Sequence, residues 1–153
     1  MNQLKETENK PVLPIAMHGK NVANSLAGVV KQMSNSNSVY SYDLLLEKKM
    51  QVAYEEMKSL IEKINRGKGV LLIYDMGSVK TMGKLISKET GIDIRFIAAP
   101  STILALETVK KMSCNDNLDD IMSGLEQSYQ HYFPTIVENY YRQKRKILLS
   151  LYV

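Results

Sequence analysis

Short apolar runs alternate along the chain with longer segments in which apolar residues recur every three or four positions. The first pattern is typical of buried strands and the second of amphipathic helices. The predicted strands are 12–17, 39–44, 69–75 and 92–99, and the predicted helices are 22–33, 47–65, 78–91 and 101–112. Strand and helix alternate four times, which predicts an α/β fold: an open, mainly parallel sheet with helices on both faces.

The pattern changes beyond Cys114. Residues 117–133 and 135–145 read as helices separated by Pro134, and the terminal "KILLSLYV" reads as a last strand. That strand is either an added antiparallel edge strand or the start of a following domain. We therefore divide the chain into a mobile N-terminal segment (1–10), one domain (11–140) and a terminal strand (141–153).

Composition narrows the class of protein. Hydrophobic residues make up 44% and charged residues 24%, which is ordinary for a globular domain. No apolar run approaches the ~20 residues that span a bilayer, and the polar start "MNQLKETENK" lacks a secretory signal. Because the only cysteine is Cys114, no internal disulfide can form. These features predict a cytoplasmic protein without membrane insertion.

The net charge of +4 includes a basic cluster at Arg142, Lys144, Arg145 and Lys146. Recognition of DNA requires basic side chains along a groove-entering element and a known motif, and no such motif occurs. Charge runs are usually solvated helix faces. We therefore expect no direct nucleic-acid binding by this domain.

The chemistry is expected at the carboxyl ends of the strands, where open parallel sheets bind ligands. His18 closes the first strand and Asp75 the third. Right-handed crossovers favour the strand order 2-1-3-4, in which these strands are neighbours. The two side chains should therefore face each other across the crevice.

The His18–Asp75 pair and its neighbours have the chemical groups that a phosphoryl acceptor needs. An imidazole with one N–H held by a carboxylate presents its other nitrogen as a nucleophile. Helix starts follow both His18 and Asp75, and their free N–H groups favour an anion. Gly19 and Gly77 allow close backbone approach, and Ser78 offers a hydroxyl or a cap. Phosphoryl transfer needs mainly such positioning.

Simpler interpretations stay open. His18 can be a histidine satisfied by backbone, and Asp75 and Ser78 can be helix caps. His131 lies among tyrosines and is predicted to be structural. The sequence contains no Gly-x-Gly-x-x-Gly, phosphate loop, nucleophile elbow or zinc-ligand spacing, and no acidic pair ends the first strand. We predict no metal and no cofactor.

The segments "IAMHGKNVANSLAGVVKQM", "GKGVLLIYDMGSVKTMGKLISKETGIDIRFI" and "APSTILALETVKKM" resemble the mannose-type enzyme IIA domain of the bacterial sugar phosphotransferase system. The resemblance covers about residues 11–112. The Asp-Met-Gly-Ser motif is most similar to the form in sigma-54-dependent transcriptional activators of the levanase-operon type. The transporter form more often has Trp-Gly-Gly there, and this chain has no tryptophan.

The resemblance implies roles and partners. His18 would accept a phosphoryl group from the histidine-containing phosphocarrier protein or an enzyme IIB partner, Asp75 would orient it, and Ser78 with nearby amides would hold the group. The family's sheet has an antiparallel strand that can be exchanged within a homodimer, and "KILLSLYV" is either that strand or the start of a following segment.

Three functions follow. The first is a phosphorylated regulatory domain of a transcriptional activator. The second is a transporter component that relays phosphate to enzyme IIB, which would make it a transferase. The third is a non-catalytic dimerisation module.

Overall fold

The computed structural model describes residues 10–151, without the side chains of 132–141. Almost all of the N-terminal segment that we predicted to be mobile lies outside the described residues. The elements in chain order are β1 (Leu13–His18), α1 (Val22–Ser34), β2 (Val39–Leu44), α2 (Met50–Ile64), β3 (Val70–Tyr74), α3 (Gly77–Thr90), β4 (Ile94–Ala98), α4 (Thr102–Cys114) and α5 (Leu118–Leu151).

The four strands form one parallel sheet in the order β2-β1-β3-β4, as predicted. β1 lies between β2 and β3, with His18 paired to Leu44 and Ala16 to Tyr74. β4 pairs with the outer side of β3. Because all the strands run the same way, their carboxyl ends share one edge of the sheet, which we call the carboxyl edge.

Helices cover both faces, which explains why the central strands are apolar at nearly every position. Alternate residues of each strand point to opposite faces. Leu13 and Ile15 pack in a core with α1, α4 and the start of α5, whereas Val12 and Ala16 pack in a second core with α2 and α3. The sheet is therefore buried on both sides, and its exposed chemistry is restricted to its edges.

Helix α3 approaches the sheet closely at Gly83. A Cβ atom at this position would lie 2.6 Å from the Phe96 ring and 3.0 Å from Leu72 Cδ2. Only glycine allows this distance of approach, which fixes how the α3 start sits above the end of β3.

The start of α2 differs from the prediction. The helix begins at Met50 and not at Glu47, because residues 45–48 form a turn in which the Lys48 N–H bonds the Leu45 carbonyl. Apolar periodicity locates a helix better than it locates the helix's first residue.

The C-terminal prediction was wrong. α5 continues through Pro134 to Leu151, so neither the break at Pro134 nor a strand over 146–151 occurs. Residues 152–153 lie outside the described part. A short apolar run cannot be assigned by periodicity alone, and Ile147 and Leu151 also fit helical spacing. Proline removes one backbone donor, but helical bonding on both sides continues here.

Candidate functional site

His18 is placed at the carboxyl edge by the end of β1. The residue after it, Gly19, has a φ of 103°, which lets the chain turn sharply away from the strand. The Gly19 N–H donates to the Leu44 carbonyl at 2.9 Å and ties this turn to β2. The imidazole is therefore held at a fixed point beside the sheet.

Asp75 follows β3 directly and binds His18 through both carboxylate oxygens. Oδ2 accepts the His18 backbone N–H at 2.8 Å, and Oδ1 lies 2.9 Å from His18 Nδ1. Oδ1 also accepts the Met76 N–H at 2.8 Å. The predicted pair is thus in contact, and the carboxylate fixes both the backbone and the ring of the histidine.

The hydrogen bonds that Asp75 accepts stabilise its ionised form. Burial tends to raise the pKa of Asp75, but the hydrogen bonds from the His18 backbone and ring, with the Met76 N–H, outweigh it and lower the pKa. The side chains of His18 and Asp75 are only 16% and 19% exposed. Asp75 is therefore ionised across the physiological range, in a site that is partly shielded from water.

The second ring nitrogen of His18, Nε2, is the one that does not contact Asp75. A carboxylate can only accept, so the proton of a neutral ring stays on Nδ1 and the lone pair lies on Nε2. Nε2 is 3.3 Å from the Ser78 hydroxyl oxygen. The structure therefore brings His18, Asp75 and Ser78 together, with Nε2 directed at the start of α3.

The α3 start supplies backbone donors beside Ser78. Met76 is the N-cap residue and makes no side-chain capping bond, and Gly77 is the first helical residue. Ser78 is the second, so its hydroxyl does not cap the helix but faces the imidazole. Of the two glycines that we predicted, Gly19 follows His18 in the chain and Gly77 precedes Ser78, which contacts the imidazole.

The α1 start differs from the prediction because a carboxylate from β2 already binds two of its N–H groups. Both oxygens of Asp43, on β2, accept its N–H groups: Oδ2 binds Asn21 and Oδ1 binds Asn24, each at 3.1 Å. We missed Asp43 in the sequence. Its signal was an acid one residue before the end of the strand that neighbours His18.

Over the described residues, no three His, Cys, Asp or Glu side chains come close enough to form a metal site. In the same part of the chain, no helix is both long and apolar enough to cross a membrane.

Known proteins resemble this chain in both sequence and fold. The model of the EIIA-man family, described as "PTS system fructose IIA component", matches residues 13–122. This range contains all four strands and every residue of the candidate site. The chain belongs to the EIIA-man family.

Relatives within and around this family include both regulators and transporter subunits. The transcriptional regulatory protein LevR of Bacillus subtilis (strain 168) is 27% identical over 157 residues, which cover 99% of this chain and 16% of LevR. The chain thus spans about a sixth of that relative. A sigma-54 interaction domain protein from Enterococcus faecalis has a TM-score of 0.75 and 26% identity, covering 83% of this chain and 96% of that one.

Two transport components share the fold at lower identity. The mannose/sorbose-specific IIA subunit from Enterococcus faecalis has a TM-score of 0.66 at 16% identity, covering 80% of this chain and 91% of its own. The EIIA component from Streptococcus agalactiae has a TM-score of 0.64 at 14% identity, covering 78% and 92%. The match to LevR and to the sigma-54 interaction domain protein confirms the resemblance, stated from the Asp-Met-Gly-Ser motif, to the form of the domain found in sigma-54-dependent activators of the levanase-operon type.

Proposed function

We propose that this EIIA-man domain is a regulatory module that accepts a phosphoryl group on Nε2 of His18 and reports the state of sugar uptake to a transcriptional activator. One observation carries the proposal. Asp75 occupies Nδ1 and leaves Nε2 as a directed lone pair beside Ser78 and the α3 start.

The reaction is a transfer between two histidines. The Nε2 lone pair attacks the phosphorus of a phosphohistidine on the donor, the new N–P bond forms, and the donor's N–P bond breaks with its electron pair returning to the donor ring. The proton on His18 Nδ1 stays in place, so the phosphorylated ring is cationic. The ionised Asp75 stabilises that ring.

The transferred group carries its charge on three equatorial oxygens. The Ser78 hydroxyl and the N–H groups at the α3 start can donate to them, and the positive end of the helix dipole favours the anion. Gly19 and Gly77 have no side chains to block the approach. These donors are in place before the reaction, which lowers its barrier without rearrangement.

The surroundings of His18 favour a protein as donor. Exposed apolar side chains follow the strand ends or begin the helices along the carboxyl edge: Val22, Leu46, Met50, Met76 and Ile103. Apolar groups around a polar centre are typical of a protein-docking surface and not of a site for a small anion. The histidine-containing phosphocarrier protein is the donor that we propose, and enzyme IIB is a second partner.

A phosphoryl group would act through its charge. It adds about −1.5 to −2 charges at neutral pH and changes how a neighbouring domain or subunit docks. The two regulators among the relatives support this role. A cytoplasmic location and a homodimer belong to the same proposal.

Intact-protein mass tests the function. The chain is incubated with phosphoenolpyruvate, enzyme I and the phosphocarrier protein, alongside a His18→Ala variant and a His131→Ala control. We expect one acid-labile phosphoryl group on the wild type and the control, and none on His18→Ala. A folded wild type that gains no mass, or a His18→Ala variant that is labelled, contradicts the proposal.

A transporter component is the second candidate, because the mannose/sorbose-specific IIA subunit shares the fold. Adding an enzyme IIB to the phosphorylated chain separates the two. Loss of the phosphoryl group within seconds favours a carrier, whereas retention over minutes favours the regulatory module.

A further inference from the structure

A second carboxylate lies at the carboxyl edge, on the opposite side of β1 from Asp75. Asp43 precedes the last residue of β2 and is paired in register with Met17. Its oxygens accept the backbone N–H groups of Asn21 and Asn24, each at 3.1 Å. A side chain from a neighbouring strand therefore closes the start of the helix that follows His18.

The turn that Asp43 holds is conformationally costly. Gly19 and Asn21 both have positive φ, 103° and 62°. Asn adopts the left-handed region more readily than other residues with a Cβ but less readily than Gly, and the Asn21 side chain makes no capping bond. The Gly19 N–H is bonded to the Leu44 carbonyl, and Asp43 supplies the acceptors for the N–H groups of Asn21 and Asn24. Asp43 therefore stabilises the segment directly attached to the reactive histidine.

We propose that Asp43 is a positioning residue for phosphoryl transfer, an inference that rests on the proposed function of His18. It fixes the turn from Gly19 to Asn21, which sets the place of the imidazole.

The test compares three variants in single-turnover transfer from the phosphorylated phosphocarrier protein. Asp43→Ala removes both acceptors and the charge, Asp43→Asn keeps one acceptor without the charge, and Glu47→Ala removes a nearby exposed charge as a control. Misplacement of a reacting group by about 1 Å lowers rates as much as 100-fold. We expect Asp43→Ala to lose about 10- to 100-fold in rate at saturating donor with its KM unchanged, Asp43→Asn to recover part of that loss, and Glu47→Ala to match the wild type.

The readout separates positioning from stability. Rates are measured well below the melting temperature of each variant, where every chain is folded. An Asp43→Ala variant that melts earlier but transfers at the wild-type rate has lost only structure, and this result overturns the proposal. A change confined to KM overturns it as well, because it assigns Asp43 to donor docking.

A second measurement does not depend on phosphorylation. The ¹⁵N signals of the His18 ring report the proton on Nδ1 and its bond to Asp75. In unphosphorylated Asp43→Ala we expect shifted or doubled ring signals, and in Glu47→Ala wild-type signals. Unchanged ring signals in Asp43→Ala overturn the positioning role, even if the wild type itself proves not to be phosphorylated. If the wild type is not phosphorylated but the ring signals do change, the proposed function fails while the positioning of His18 by Asp43 stands.

Discussion

Both carboxylate oxygens of Asp75 contact His18. Asp75→Asn is therefore the most informative substitution, because it keeps the shape of the side chain and changes its charge and one of its acceptors. In Asp75→Asn, an NH2 group replaces one acceptor and faces either the His18 N–H or the Nδ1 proton. A hydrogen bond to a charged group contributes about 1.5–3 kcal/mol. We expect the free energy of unfolding to fall by about that amount in urea titrations and phosphorylation to slow at least tenfold. Wild-type stability and rate in this variant would contradict the role of the pair.

The acid sensitivity of the fold should contain a contribution from Asp75. Its folded pKa is lowered below the ordinary value of 3.8. The associated stability is therefore fully present above pH 3.8 and is lost as the pH falls further through the folded pKa. Urea titrations between about pH 5 and pH 2 should show a steeper loss in the wild type than in Asp75→Asn. Parallel curves would show that the carboxylate is not stabilised by folding.

Among the individual residues of the site, the sequence predicted those that the order of the strands brings together. His18 ends β1, Asp75 directly follows β3, and Ser78 comes three residues later, so the sheet order was enough to place them. Asp43 and the left-handed Asn21 were not predicted, because they depend on a side chain from β2 reaching the α1 start. No local pattern encodes that contact.

Helix α3 and helix α1 give a matched pair of glycine substitutions. Gly83→Ala would push α3 off Phe96 and Leu72, and overpacking of this kind costs about 1–3 kcal/mol. Gly28→Ala, in α1, meets nothing within 4 Å and should instead stabilise the protein by about 0.5–1 kcal/mol through helix propensity. Thermal unfolding of both variants measures this. A stable Gly83→Ala protein would contradict the close packing of α3 on the sheet.

The bounds of an element could be predicted from sequence where burial of the element determines which of its positions are apolar. The strands lie within about two residues of their predicted bounds because both of their faces are covered. The segment at 146–151 has no such constraint. Its described apolar side chains, Ile147, Leu148, Leu149 and Leu151, are exposed, so no packing distinguishes a strand from a helix in the sequence.

The part of the chain that the structure describes contains a packed body and a long helix, α5, of which only the beginning is buried in that body. Among the described side chains of α5, Leu118, Ile121 and Leu125 are buried and none after them is. Leu151→Ala, at a side chain that is 74% exposed, should therefore change the free energy of unfolding by less than about 1 kcal/mol. Ile121→Ala removes a fully buried side chain and should cost about 2–5 kcal/mol. Urea titrations of both variants measure the difference, and equal losses would contradict this division.

Topology rules gave the order of the sheet, since right-handed crossovers leave few arrangements for four strand–helix units. The length of α5 was not predictable in the same way. Pro134 and the apolar end are local signals that oppose a long helix, and the periodicity on either side of Pro134 outweighs them.

The central claim is that Nε2 of His18 receives the phosphoryl group while Nδ1 stays protonated against Asp75. The most direct test is ³¹P and ¹⁵N NMR of the chain, labelled on histidine and phosphorylated by the phosphocarrier protein. We predict phosphorus coupled to Nε2 of His18 and a retained proton on Nδ1. Phosphorus on Nδ1, on His131 or on no histidine at all would contradict the account.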